Sequence, residues 1–162
     1  MGLGEMVEEE ESRWKAALET AVRYLARRAR SRFEVEQRLH KARFEPSLMR
    51  RVSSYLEEAG YLDDEAFGRQ WARDCLERKP MGARLLRQEL IRRGLGEALA
   101  TAIVRESMDE NREHEMALEA ARKKLKSSRA GSPEKVRERL FRFLIGRGFS
   151  YELAQHVIEE VQ

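Results

Sequence analysis

The residues best placed to do chemistry in this 162-residue chain are two adjacent carboxylates, Asp63 and Asp64, in the stretch LDDEAF. Oxygen ligands of this kind suit a divalent cation, but no further His, Cys or acidic cluster stands beside them, and His40, His114 and His156 are widely scattered along the chain. The same pair reads more simply as the start of a helix. Asp63 is placed to cap free amides, Asp64 and Glu65 complement the positive end of the helix dipole, and Leu62 and Phe67 occupy staple positions. No metal site is expected on this reading. The single cysteine, Cys75, falls on an apolar helical face and reads as a small core residue rather than a reactive thiol. There is no phosphate-binding loop and no nucleophile with a base and an orienting acid nearby, so no catalytic residue, no cofactor and no enzymatic activity is expected.

The basic residues carry more information. A net charge of +3 conceals an asymmetry: residues 1–11 hold five Glu and no base, whereas residues 12–60 hold twelve bases against six acids. Residues 61–109 balance at nine each, and 110–162 come to eleven bases against nine acids. Between 78 and 93, six bases face only Glu89. The candidate partner- or DNA-binding surface is Arg28, Arg30, Lys41, Arg43, Lys79, Arg84, Arg87, Arg92, Arg93 and Arg147. Two readings stand side by side. Cations near a helix carboxyl terminus favour the macrodipole and simply solvate a face; alternatively they meet phosphates or an acidic partner, with binding that falls with salt and takes little notice of base sequence.

These charges must be positioned by something, and the composition points to helices. Charged residues make up 38% of the chain against roughly 25% in average proteins, only three prolines are present, and no alternating β-branched run reads as a strand. The longest uncharged apolar run, residues 98–104, is about a third of the ~20 residues a membrane span needs, so a cytoplasmic location is expected. No sustained heptad seam is present, and a monomer is expected.

The stretches LIRRGLGEAL (90–99) and LIGRGFSYEL (144–153) are nearly one phrase, and a third copy, LHKARFEPSL, occupies 39–48. Apolar residues agree around the anchors Leu39, Leu90 and Leu144. Val35, Leu86 and Leu140 precede them by four; Phe44, Leu95 and Phe149 follow by five; Leu48, Leu99 and Leu153 by nine; Val52, Ile103 and Val157 by thirteen. That pattern describes two amphipathic helices joined by a tight turn. A further helix precedes each hairpin, marked by Ala17, Leu18, Ala21 and Leu25, by Phe67, Trp71 and Cys75, and by Met116, Ala117, Ala121 and Leu125.

The expected fold is therefore all-α, with three tandem three-helix repeats forming an elongated, curved helical array and no sheet. Its segments are an acidic, disordered tip over 1–11 and repeats over 12–60, 61–109 and 110–162. Ser31 with Glu34 has capping-box spacing, Ser132 precedes a proline at the first helical position, and Gly60, Gly94 and Gly148 mark helix ends. The stretch KSSRAGSP (126–133) is the one loop insertion. At the first corner Arg43 replaces the glycine, so either that corner closes differently or Arg43 is kept for its charge.

Three segments, GYLDDEAFGRQW (60–71), RKPMGARLLRQELIRRGL (78–95) and RFLIGRGFSYELAQHVIEEV (142–161), resemble successive signatures of the RecX family, bacterial modulators of the RecA recombinase. The resemblance runs in order over nearly the whole chain after about residue 16. It implies a body that lies in the groove of the RecA filament on DNA, inhibits ATP hydrolysis and strand exchange, and has no catalytic site of its own. The partners it implies are the RecA filament and single-stranded, or also double-stranded, DNA bound without regard to sequence. Two rivals have other consequences. A helix-turn-helix reader needs base-contacting side chains at the start of its last helix, and GEALATA and SYELAQH offer no Arg or Lys in their first turns; a plain helical scaffold would bind neither DNA nor filament.

Overall fold

The computed structural model describes residues 2–127 and 130–161. Among them are nine helices and no strand: α1 (Leu3–Leu25), α2 (Arg32–Lys41), α3 (Pro46–Glu58), α4 (Asp64–Arg78), α5 (Ala83–Arg92), α6 (Glu97–Ser107), α7 (Glu110–Ser127), α8 (Pro133–Gly146) and α9 (Tyr151–Val161). They group as three successive triplets, the all-α tandem repeat that the apolar spacing predicts. Among the described residues no helix is long and apolar enough to cross a membrane.

The chain forms two compact units: one runs to Phe67 and takes in Arg93–Leu95, and the other holds Gly68–Arg92 with the remainder from Gly96. In the first unit α1, α2 and α3 pack on one another around Ala17, Ala21, Val35, Leu39, Leu48, Val52, Leu56 and Leu62. In the second, α7, α8 and α9 enclose Ala117, Ala120, Ala121, Leu140, Leu144, Phe149, Ala154, Val157 and Ile158. The first helix of each of these two triplets presents alanines to its core, and such small side chains let the helix axes approach closely. The anchor leucines Leu39, Leu90 and Leu144 are all fully buried, each stabilising the fold by about 1.5–3 kcal/mol. Of the fifteen repeated apolar positions, only Phe44, Leu99 and Leu153 are half-buried. Cys75 is buried, as its apolar face predicts.

Local chemistry accounts for the helix ends. The Ser31 hydroxyl accepts the Glu34 amide at 3.1 Å while the Glu34 carboxylate accepts the Ser31 amide at 3.2 Å, a reciprocal capping box. Asp63 caps α4 by accepting the Ala66 amide at 2.9 Å, and Ser132 caps α8, whose first residue is Pro133. The corners after α2 and α8 close alike. Phe44 N–H bonds Leu39 C=O at 3.2 Å and Arg43 N–H bonds His40 C=O at 2.9 Å; Phe149 N–H bonds Leu144 C=O at 3.2 Å and Gly148 N–H bonds Ile145 C=O at 3.0 Å. Both are Schellman motifs, which need one left-handed residue. Arg43 supplies it at φ +66°, beside φ +94° at Gly94 and +88° at Gly148. The first corner thus closes as the third does, and an arginine sits in a conformation that costs a side-chain-bearing residue roughly 1–2 kcal/mol.

Two expectations are corrected. The acidic tip is helical, continuing α1 from Leu3. Glutamates propagate a helix well, and the Glu10 carboxylate pairs with Arg51 of α3 at 2.7 Å while the Arg51 guanidinium lies 5.4 Å from the Trp14 ring. The loop insertion is shorter than KSSRAGSP implies, because Lys126 and Ser127 belong to α7; Ser128 and Arg129 lie outside the described residues.

Candidate partner-binding surface and the joints between repeats

The structure divides the ten sequence-predicted basic residues into engaged and free. Arg93 and Arg147, which hold the same place in their corners, both turn back onto the preceding triplet. Arg93 pairs with Glu34 at 3.0 Å, and Arg147 Nε donates to the Pro80 carbonyl at 2.9 Å. Arg84 donates to the Ile145 carbonyl at 3.0 Å. Arg87 reaches Thr101 at 3.0 Å and Glu97 at 3.6 Å, Arg92 pairs with Glu89 at 2.9 Å, and Arg28 pairs with Glu34 at 3.2 Å. The Arg30 guanidinium lies 4.0 Å from the Tyr24 ring centroid, a cation–π contact. Lys41, Arg43 and Lys79 are exposed and have no side-chain partner among the described residues.

Two cations that the sequence reading left out join the free set. Arg27 and Arg38, with Thr20, Arg23 and Tyr24, line a concavity between the end of α1 and α2, and neither has a partner among the described residues. Arg38 and Lys41 are three apart on α2 and so share a face. The eight bases between 23 and 43 were the available signal, but composition does not separate those answered by Glu34 and Tyr24 from those left over.

Arg93, Arg84 and Arg147 belong to two joints of one design. In the first, the buried Ser31 hydroxyl donates to the Arg93 carbonyl at 2.5 Å, and the Arg32 amide, the first of α2, donates to the Asp64 carboxylate at 2.7 Å. In the second, the Gly82 amide donates directly to the Arg147 carbonyl at 2.8 Å, and the Ala83 amide, the first of α5, donates to the Glu113 carboxylate at 2.8 Å. Each joint seats the start of a second helix on the corner of the next triplet. An acid from the next triplet's first helix answers the leading amide, where the dipole favours negative charge. Asp64, expected to serve its own helix, therefore serves α2 as well. Burial is the main influence on its carboxyl and lifts it above the ordinary aspartate range, against the Arg32 amide, which pulls it down.

The corner glycines are needed for room as well as for φ. A Cβ at Gly94 would fall 2.1 Å from Phe33 Cβ, and one at Gly148 would fall 2.3 Å from Leu85 Cβ and 2.5 Å from the Leu85 backbone nitrogen. Among the described residues no triplet precedes the first corner, and there the half-buried Phe44 replaces the buried Leu95 and Phe149. That difference explains why an arginine is sterically tolerated at position 43 and glycine is required at 94 and 148.

His114 and His156, distant in sequence, stand together where α7 packs on α9, with ring centroids 5.6 Å apart. His114 Nε2 lies 2.9 Å from Glu160 Oε2.

Family models for the first, second and third three-helix domains of RecX match residues 17–56, 63–103 and 111–158. The chain is 32% identical over 152 residues to regulatory protein RecX of Chlorobaculum tepidum, covering 94% of this chain and 92% of that one. It is 32% identical over 159 residues to regulatory protein RecX of Mycolicibacterium smegmatis, covering 96% and 84%. The crystal structure of RecX from Lactobacillus salivarius superposes with a TM-score of 0.81 at 19% identity, covering 93% of this chain and 97% of that one. A second crystal structure of a regulatory protein RecX gives a TM-score of 0.87 at 16% identity, covering 98% and 80%. Three matching domains in order, and identity sustained over almost the full length of both chains, place this chain in the RecX family of regulatory proteins.

Proposed function

We propose that this chain regulates the RecA recombinase by binding its filament on DNA, in the filament groove, and there inhibits ATP hydrolysis and strand exchange, so modulating recombination, repair and the SOS response. Membership of the RecX family supports the choice of partner. The observation that carries the site is a group of unpaired cations at the end of α1, on α2 and at the corner that follows it: Arg27, Arg38, Lys41 and Arg43. Cations already answered by carboxylates gain little from a phosphate, because one partner is exchanged for another. Unanswered ones release counterions from a nucleic-acid backbone and bind it without reading bases. Lys79 offers the same chemistry from the second triplet. The work is done by occupancy: a bound helical body opposes the filament's changes of conformation with no bond made or broken.

The test is ATP hydrolysis by RecA on single-stranded DNA. Hydrolysis should fall at substoichiometric or near-equal amounts of this protein, with strand exchange falling in parallel, and the R27A/R38A/K41A variant should need a larger amount for the same effect. Unchanged hydrolysis and strand exchange at low salt with the protein in excess would refute the proposal.

A further inference from the structure

We propose that His114, His156 and Glu160 form a zinc-binding site that staples the first and third helices of the last triplet. The Nε2 or Nδ1 atoms of the two imidazoles and one Glu160 oxygen all lie within 4.8 Å of one another, and the closest pair, His114 and Glu160, is 2.9 Å apart. Zinc bonds of about 2.0–2.1 Å in a tetrahedron separate ligand atoms by about 3.3 Å. The His114–Glu160 spacing is already near that value and the others are no greater than 4.8 Å, so the site closes by side-chain rotation.

The backbone beneath it is rigid. His156 and Glu160 are four apart on α9 and therefore share a face, and His114 comes from α7. Between the two helices lie the fully buried Ala117, Ala121, Ala154 and Val157, so the ligand-bearing positions are fixed by packing before any ion arrives. Two imidazoles and one carboxylate select zinc, or a neighbouring transition metal, over magnesium and calcium, which prefer an all-oxygen shell. His156 and Glu160 are exposed and His114 is half-buried, which leaves the fourth position to water, the pattern of three protein ligands and one solvent ligand.

The site uses none of the cations assigned to the filament, so its fate is separate from that reading. The experiment uses the full chain, stripped of metal with a chelator and titrated with Zn2+ against a chromophoric zinc indicator. One ion should bind per chain with micromolar affinity, and Co2+ in its place should give the visible absorption of a tetrahedral site. Zinc at about a hundredfold over its Kd should raise Tm by about 5–10 °C, reversed by chelator. H156A and E160Q, both at exposed positions, should keep the helical spectrum and weaken zinc binding by more than about a hundredfold, beyond what losing an outer-sphere partner costs, while H40A binds as the parent does. Absence of saturable one-to-one binding, equal binding by H156A and the parent, or Mg2+ competing as well as Zn2+ would each overturn the assignment.

Discussion

Gly60 and Gly148 share a left-handed backbone, with φ of +80° and +88°, but differ in what surrounds them. A Cβ on Gly60 meets nothing within 4 Å, whereas one on Gly148 meets Leu85 Cβ at 2.3 Å and the Leu85 backbone at 2.5 Å. Alanine at either position incurs the left-handed cost of about 1–2 kcal/mol, reduced to a net of about 1 kcal/mol by the smaller unfolded-state entropy of alanine. At 148 it must also displace α5 from the corner, an overpacking cost of about 1–3 kcal/mol. G60A should therefore lose about 1 kcal/mol and G148A about 2–4 kcal/mol. For a chain of this length these correspond to Tm decreases of about 2–4 °C and roughly 5–15 °C. Urea titrations followed by far-UV circular dichroism, with thermal scans in parallel, read both. Equal losses in the two variants would refute the steric account of the joint and leave the corner glycines as backbone features only. R43G should move the other way, gaining up to about 1 kcal/mol once relief of the left-handed strain is set against the larger unfolded-state entropy of glycine.

The Asp64 carboxyl is raised by burial in the folded state, so the unfolded chain gives up this proton first as pH rises. Its contribution to stability is full below the unfolded pKa and is lost as pH climbs through the raised folded value. D64N, which keeps an acceptor for the Arg32 amide, should flatten stability across that acid-side window in urea titrations, and an unchanged pH slope would count against the burial argument. D64A should instead cost about 1 kcal/mol at neutral pH through the missing capping bond. Removing Arg27, Arg38 and Lys41 should lower the slope of log K against log salt on single-stranded DNA by about 0.7 for each phosphate no longer neutralised. R93A, whose side chain is already held by Glu34, should leave that slope alone and cost about 1 kcal/mol of stability. Cys75, buried in the native chain, should resist a thiol reagent until denaturant is added; rapid labelling of the folded protein would contradict its place in the core.

What was legible in the sequence is what local chemistry decides. The anchors Leu39, Leu90 and Leu144 and the residues four before them are all buried, because a helical period of four reports the buried stripe directly. Ser31, Asp63 and Ser132 cap as their spacing predicts, since a cap involves only the next three residues. The register of Arg93 and Arg147 was legible too, but their use was not. Repetition places two arginines at equivalent corners; whether the side chains face solvent or fold back is settled by Glu34 and Pro80, about sixty residues upstream. The nearness of His114 and His156 was not legible for the same reason, as only the packing of α7 on α9 brings them together. The tip was misread because composition weighs a charged segment without seeing Arg51 waiting on α3.

The two joints also set what a triplet must carry to be joined in this way. Each needs a bare left-handed residue on one side and a donating leading amide on the other, and the middle triplet supplies both, with Gly94 facing backward and the Ala83 amide facing forward. Arg43 instead carries a side chain at the first corner, and Pro133, leading α8, has no N–H for an acid to accept. As they stand, neither position offers what the joint uses: the one corner is not bare, and the one helix does not open on a free amide. An arginine and a proline that, taken singly, look like exceptions to the pattern thus mark the two places where the chemistry of the joint is withheld.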